Sequence, residues 1–130
     1  MLGAIVAWWA QQPLAGQFST RDLWLFEAPE VSVPYAVLNQ VSEPVKEQTT
    51  NYQLLDGTYQ ISCFAATPEQ AYDFARQARN AFHRATVTTS DDQPMHCLGG
   101  EVRMMPEAGL GGLGRDVWMA YAEIEILSQR

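Results

Sequence analysis

The residues able to do chemistry are few and scattered. His83, His96, Cys63 and Cys97 are the candidate soft metal ligands. A zinc site draws closely paired ligands from two segments. One His-Cys doublet, a lone His and a lone Cys do not supply that, so no metal is expected. Tyr52, Tyr59 and Tyr121, with Asp56 and Asp73, offer hydroxyl donors and acids that would serve a pocket in a small α+β cone. Their spacing singles none of them out, and no catalytic residue is assigned. Asp91-Asp92 reads as a solvated turn. Ser19 and Ser90 lack the strand–turn–helix context of an exposed nucleophile.

Gly109 to Gly114, GLGGLG, matches G-x-G-x-x-G letter for letter. A dinucleotide site needs a strand before the glycines and a helix after them, because helix amides hold the pyrophosphate. Here a strand pattern follows. The segment reads as a hairpin loop, Leu110 and Leu113 suit contact with a neighbouring subunit, and no cofactor is expected. Glu123 and Glu125 stand two apart on one face of the last strand pattern. Such a pair is a solvated face in a monomer and a channel lining in a ring.

The elements that would position these residues centre on Thr58 to Ala85. Tyr59, Ile61, Cys63 and Ala65 alternate with Thr58, Gln60, Ser62 and Phe64, the pattern of a half-buried strand. The period then changes. Thr67 is placed to cap a helix, with Pro68 at its first position and Gln70 at the capping-box spacing. Ala71, Phe74, Ala75, Ala78, Ala81, Phe82 and Ala85 form one apolar stripe, and Arg76, Gln77, Arg79 and Asn80 point away from it.

Around this unit, Leu2 to Gln11 reads as a short helix with Leu2, Ile5, Val6 and Trp9 inward and Trp8 at the edge. Pro13 and Gly16 close it. Asp22 to Glu27 and Val33 to Val41 read as strands, with Pro34 where a missing N–H is tolerated. Ser42 to Asn51 is a protruding polar loop or hairpin tip, and Asp56-Gly57 a turn or bulge. Thr86 to Pro94 is a polar connection, Cys97 to Met105 a strand made uneven by Gly99-Gly100, and Pro106 to Gly114 a loop. Val117 to Leu127 is the last strand. Trp118, Ala120, Ala122, Ile124 and Ile126 share one of its faces, and Val117, Met119, Tyr121, Glu123 and Glu125 the other. The expected fold is α+β, a mainly antiparallel sheet of 4–5 strands with one long helix and a short N-terminal helix on one face.

The 130 residues fit a single domain over 1–130. A chain of that size buries about two-thirds of its unfolded surface, enough for a core without staples. Its net charge of −7 opposes sequence-reading contact with phosphate backbones, though not passage of nucleic acid past the protein. Two cysteines make no disulfide framework. The N-terminal apolar run lacks a basic flank and is too short for a bilayer, which favours a cytoplasmic protein with no membrane partner.

Three stretches carry a resemblance. Val33-Pro34-Tyr35-Ala36-Val37-Leu38, then Tyr59-Gln60-Ile61-Ser62-Cys63-Phe64-Ala65, then Thr67-Pro68-Glu69-Gln70-Ala71 opening a helix, resemble the tail terminator (tail-completion) proteins of long-tailed bacteriophages and prophages. The resemblance runs from about Leu2 to Leu127, and the Gly109–Gly114 loop departs from it. It implies a structural protein without catalytic residues. Such a protein forms a homo-oligomeric ring, a hexamer in the family's pattern, on the head-proximal end of the tail tube. There it ends tube polymerisation and meets a head-completion protein, and DNA passes through it without sequence recognition. It is made in the host cytoplasm and resides in the tail-neck region of the virion.

On that reading Val45, Lys46, Glu47, Tyr52, Leu54, Leu110 and Leu113 are candidate subunit or partner contacts, and Glu123 and Glu125 a candidate acidic lumen. Another neck ring, such as a head-completion protein, is an alternative within the same class. A small-molecule-binding or enzymatic α+β cone is the alternative from another class, and a deep pocket with a perturbed acid or base would mark it.

Overall fold

The computed structural model describes residues 2–18, 23–26, 33–42, 53–88, 94–104 and 117–129. Helix α1 spans Leu2–Ala10 and is followed by a 3₁₀ turn at Pro13–Gln17. Strands β1 (Leu23–Leu25), β2 (Tyr35–Ser42) and β3 (Gln53–Ala65) come next, then helix α2 (Pro68–Phe82). Strands β4 (Thr86–Thr88), β5 (Pro94–Met104) and β6 (Trp118–Gln129) complete the chain. The fold is mixed α+β. One six-stranded sheet has the order β1-β2-β3-β6-β5-β4. β1 runs parallel to β2, and every other neighbouring pair is antiparallel.

The expected sheet of 4–5 strands is corrected to six. The sixth is β4, where a polar connection was expected. Only Val87 in Thr86-Val87-Thr88 is buried, so three residues carry too short an alternation to stand out. The pairing is held instead by the neighbouring chain: Arg84 donates its N–H to the Cys97 carbonyl at 2.7 Å, and the Cys97 N–H reaches the Ala85 carbonyl at 2.9 Å. Strand β5 accordingly begins at Pro94, not Cys97. Tyr52 lies outside the described residues, and Gln53 to Ala65 is one continuous strand. Its register shifts between Leu55 and Gly57, where Gly57 has φ 145°, so Asp56-Gly57 is a bulge.

The turn from β3 into α2 follows its local chemistry. The Thr67 hydroxyl accepts from the Gln70 N–H at 3.1 Å, and Pro68 occupies the first helical position. Ala71, Phe74, Ala75, Ala78 and Phe82 are buried. They face Ala36, Leu38, Ile61, Cys63, Ala120, Ala122 and Ile124, which form the covered face of the sheet. Alanine against alanine lets the helix backbone approach the strands closely.

Helix α1 adds Ile5 and Trp9 to the core, while Val6 and Trp8 are half-buried. The Trp8 indole donates to the Ala81 carbonyl at 3.0 Å and ties α1 to the end of α2. Trp9, Phe18 and Phe74 form a chain of ring contacts at 5.3 and 4.7 Å. α1 touches both β1 and β4, the two edges of the sheet, so the sheet curls around its helices.

Candidate functional site

Antiparallel partners point to the same side of a sheet, so the ladders assign every side chain to a face. The face away from the helices carries four rows. Tyr35, Phe64 and Met119 make the first, and Val37, Ser62, Tyr121 and Arg103 the second. Asn39, Gln60 and Glu123 make the third, and Thr58, Glu125 and Leu98 the fourth. Polarity grades along the strands. At one end Tyr35 stacks on Phe64 with ring centroids 4.7 Å apart, and Met119 is buried beside them. At the other end stand two carboxylates.

Neighbouring side chains bury the middle of this face although no described helix crosses it. Val37 and Ser62 are both buried, and the Gln60 amide donates to the Ser62 hydroxyl at 2.9 Å. Desolvation raises the Tyr35 hydroxyl above its ordinary pKa, so it stays a neutral donor. Arg103 pairs with Glu101, which raises the guanidinium pKa first by hydrogen bond and then by charge. Tyr121 and Glu123 add to that field. This face runs from an apolar, largely buried end to a more exposed, acidic one.

The β5 edge beside it is closed by α2. Arg79 lies off the buried stripe of α2, as expected, and its long side chain runs across β5, donating Nε–H to the Gly100 carbonyl at 3.0 Å. A Cβ on Gly99 would meet Arg79 Cγ at 2.6 Å, and one on Gly100 would meet the Glu123 carbonyl oxygen at 3.2 Å. The Gly99 N–H donates to His83 Nδ1 at 3.0 Å. The register shift between Gly99 and Val102 is the unevenness that the two glycines led us to expect. An arginine on the exposed side of a helix reads as solvated, so only the glycine pair hinted at this contact.

The candidate ligands and acids are not brought together. His83 bonds the β5 backbone, while His96 Nδ1 lies 3.2 Å from the Thr86 hydroxyl. Cys63 and Cys97 are free thiols with no exposed surface. Burial pushes Cys97 up to about 11 and Cys63 further, so both stay protonated at neutral pH. Among the described residues no three His, Cys, Asp or Glu side chains are placed to hold a metal ion. Tyr59 is buried on the covered face and Tyr121 lies on the opposite one. Asp73 sits on α2, where bonds from Arg76 at 2.8 Å and Gln77 at 2.6 Å hold its carboxyl below the usual range. A shallow open basin lies between α2 and β5, lined by Pro68, Glu69, Tyr72, Asp73 and Met104.

Glu123 and Glu125 lie on the helix-free face. Of the candidate contact residues, Val45, Lys46, Glu47, Tyr52, Leu110 and Leu113 fall outside the described residues, as do the Gly109–Gly114 loop, Asp91-Asp92, Ser19 and Ser90. Leu54 is in β3, paired with Ser128. No described helix is long and apolar enough to cross a membrane.

No family model matches the chain, and no curated protein matches it. Eight chains of solved structures do. One aligns with 98% of this chain and 89% of its own length, with a TM-score of 0.55 and 9% identity, and its name states no activity. The likeness is one of fold.

Proposed function

We propose that this chain is a structural assembly protein of the tail-terminator kind. Its copies form a ring on the head-proximal end of a phage tail tube, end the tube's growth, and present a surface to a head-completion protein. The observation that carries the reading is the helix-free sheet face, where Glu123 and Glu125 stand in adjacent rows beside the Glu101–Arg103 pair. A sheet face turned inward would line the ring with carboxylates, and a duplex backbone would pass without adhering. The net charge of −7 and the three resembling stretches agree with this. The ring is a homo-oligomer, and the hexamer is the number that the resemblance suggests.

The test has two parts. Light scattering on the chromatographic main peak, followed by negative-stain microscopy, is expected to show a closed ring with an opening wide enough for duplex DNA. Adding the protein to polymerising tail tube subunits is expected to shorten the tubes and cap one end. Trimming Glu47 to Asn51 is expected to impair joining and leave the fold intact. A stable dimer with no ring and no effect on tube length would transfer the reading to the small-molecule-binding cone.

A further inference from the structure

The outer edge of β5 is closed in two different ways. From Pro94 to Cys97 it meets backbone. Thr88, Val87 and Thr86 pair with Pro94, Met95 and His96, and the Cys97 N–H donates to the Ala85 carbonyl at 2.9 Å. Bonded pairs recur at every second residue of an antiparallel ladder. The same register therefore sets His83 opposite Gly99 as the next pair to exchange bonds. At His83, however, the chain is still leaving α2. Its N–H donates to the Arg79 carbonyl at 2.8 Å, and Arg84, with φ 63°, turns the chain toward β4. The acceptor for the Gly99 N–H is then the side chain of His83, whose Nδ1 lies 3.0 Å away. One residue on, Arg79 Nε–H covers the Gly100 carbonyl. Two side chains at the end of α2 thus continue a ladder that backbone began.

The roles in the His83 bond are fixed. A backbone N–H can only donate, so Nδ1 carries the lone pair and the proton of the neutral ring sits on Nε2. A second proton goes to Nδ1 and sets donor against donor. His96 differs. Its Nδ1 lies 3.2 Å from the Thr86 hydroxyl, which can donate to a neutral ring or accept from a charged one. The chain has two histidines, and of the two it is His83 whose bond a proton destroys.

We infer that His83 is a pH-sensitive latch on the β5 edge: protonation of its ring releases the Gly99 N–H and opens the edge between Cys97 and Gly100. The bond is present while the ring is neutral and is lost as pH falls. The carbonyl end of α2 accommodates a cation, so the charged ring stays with the helix and gives up β5. The other charges are placed to favour release. On its own element, Arg79 precedes it by one turn and Arg84 follows it, both cations. On β5, Glu101 is already paired with Arg103. On β6, Glu123 and Glu125 belong to the helix-free face. Helix α1 and strand β4 carry no charged side chain. An uncovered strand edge is a template for pairing with another chain, so the latch confines that exposure to acid. It operates whether or not the copies close into a ring.

The experiment is NMR on the full chain, labelled with nitrogen-15 and titrated from about pH 8 to about pH 5, the range in which histidine changes charge. Long-range imidazole spectra separate the two rings. At the upper end His83 is expected as the Nε2–H tautomer. As that ring gains its proton, the exchange protection of the Gly99 amide, relative to its intrinsic rate at each pH, is expected to fall by roughly fivefold or more. The Cys97 amide, bonded to backbone, is expected to keep its protection. His83→Asn retains an acceptor oxygen without a titrating proton, and is expected to hold Gly99 protected throughout. His96→Gln is expected to leave the parent's response unchanged. An Nδ1–H tautomer at His83, Gly99 protection that ignores the His83 titration or follows that of His96, or a pH response that survives His83→Asn would each overturn the latch. The tautomer and the protection are read on the unaltered chain, so neither depends on a variant folding.

Discussion

The two faces of the sheet are built from the same strands and treated in opposite ways. On the covered face Ala36, Ile61, Cys63, Ala120 and Ala122 have no exposed surface, and α2 meets them with Ala71, Ala75 and Ala78. On the helix-free face, alternate residues of the same strands run from the Tyr35–Phe64 stack to Glu125. The covered face is fixed by volume, since a close helix leaves no room for a larger side chain. The helix-free face is closed by its own side chains at Val37, Ser62 and Met119, and is fixed by solvation and charge only toward Glu123 and Glu125.

Substitutions that respect or violate this difference can break it. The largest expected effect is at Ile61, fully buried under α2. Ile61→Ala is expected to cost about 2–5 kcal/mol in denaturant unfolding, since it removes buried methylenes and leaves a cavity. Next is Ala78→Leu, which overfills the helix–sheet gap and is expected to cost about 1–3 kcal/mol in the same measurement. Thr67→Ala removes the oxygen that caps α2 without touching either face, and is expected to cost about 1 kcal/mol.

The smallest effect on stability is expected on the open face. Glu123→Gln with Glu125→Gln should remain within ~0.5 kcal/mol of the parent while raising retention on a DNA column. A loss near that of Ile61→Ala would mean that the acidic end of this face is packed as its Val37–Ser62 middle is. Acid also separates exposed chemistry from the core. Asp73 titrates below the ordinary carboxylate range, so its bonds to Arg76 and Gln77 help the fold above that range and are lost as pH falls through it. Asp73→Asn is expected to flatten that part of the acid-unfolding curve slightly, because the pair is exposed.

What was legible in the sequence is what local chemistry encodes. Thr67, Pro68 and Gln70 mark the strand-to-helix turn within four residues, and it forms there. The alternation through Trp118 to Ile126 assigns both faces of β6 correctly, because hydration acts on each residue in turn. What stayed hidden depends on distant chain. β4 is a strand because Cys97 bonds the backbone of residues 84 and 85, not because Thr-Val-Thr demands it. The parallel pairing of β1 with β2 likewise has no local signal. Among surface features, the two glutamates could be placed by alternation. Phe26 could not, since Leu-Trp-Leu-Phe reads as strand, whereas the strand ends at Leu25 and Phe26 has φ 68°. Arg79 lies off the buried stripe as expected, but its bond to Gly100 was hidden: a helix pattern says which way a side chain starts, not where a long one ends.

That last contact has a consequence for how such a sequence can drift. Gly99 stays bare because Arg79 lies on it, Gly100 because Glu123 stands behind it, and Arg79 is held by the carbonyl the glycines expose. The first and third conditions are linked through Arg79, and the second is set by the β6 backbone. A side chain at Gly99 requires the Arg79 side chain to move and still meets the carbonyl of residue 79 at 3.2 Å, while losing Arg79 returns the Gly100 carbonyl to water. Arg79 and Gly99 are therefore the coupled pair: relatives of this chain that put a side chain at 99 should also carry a shorter residue at 79.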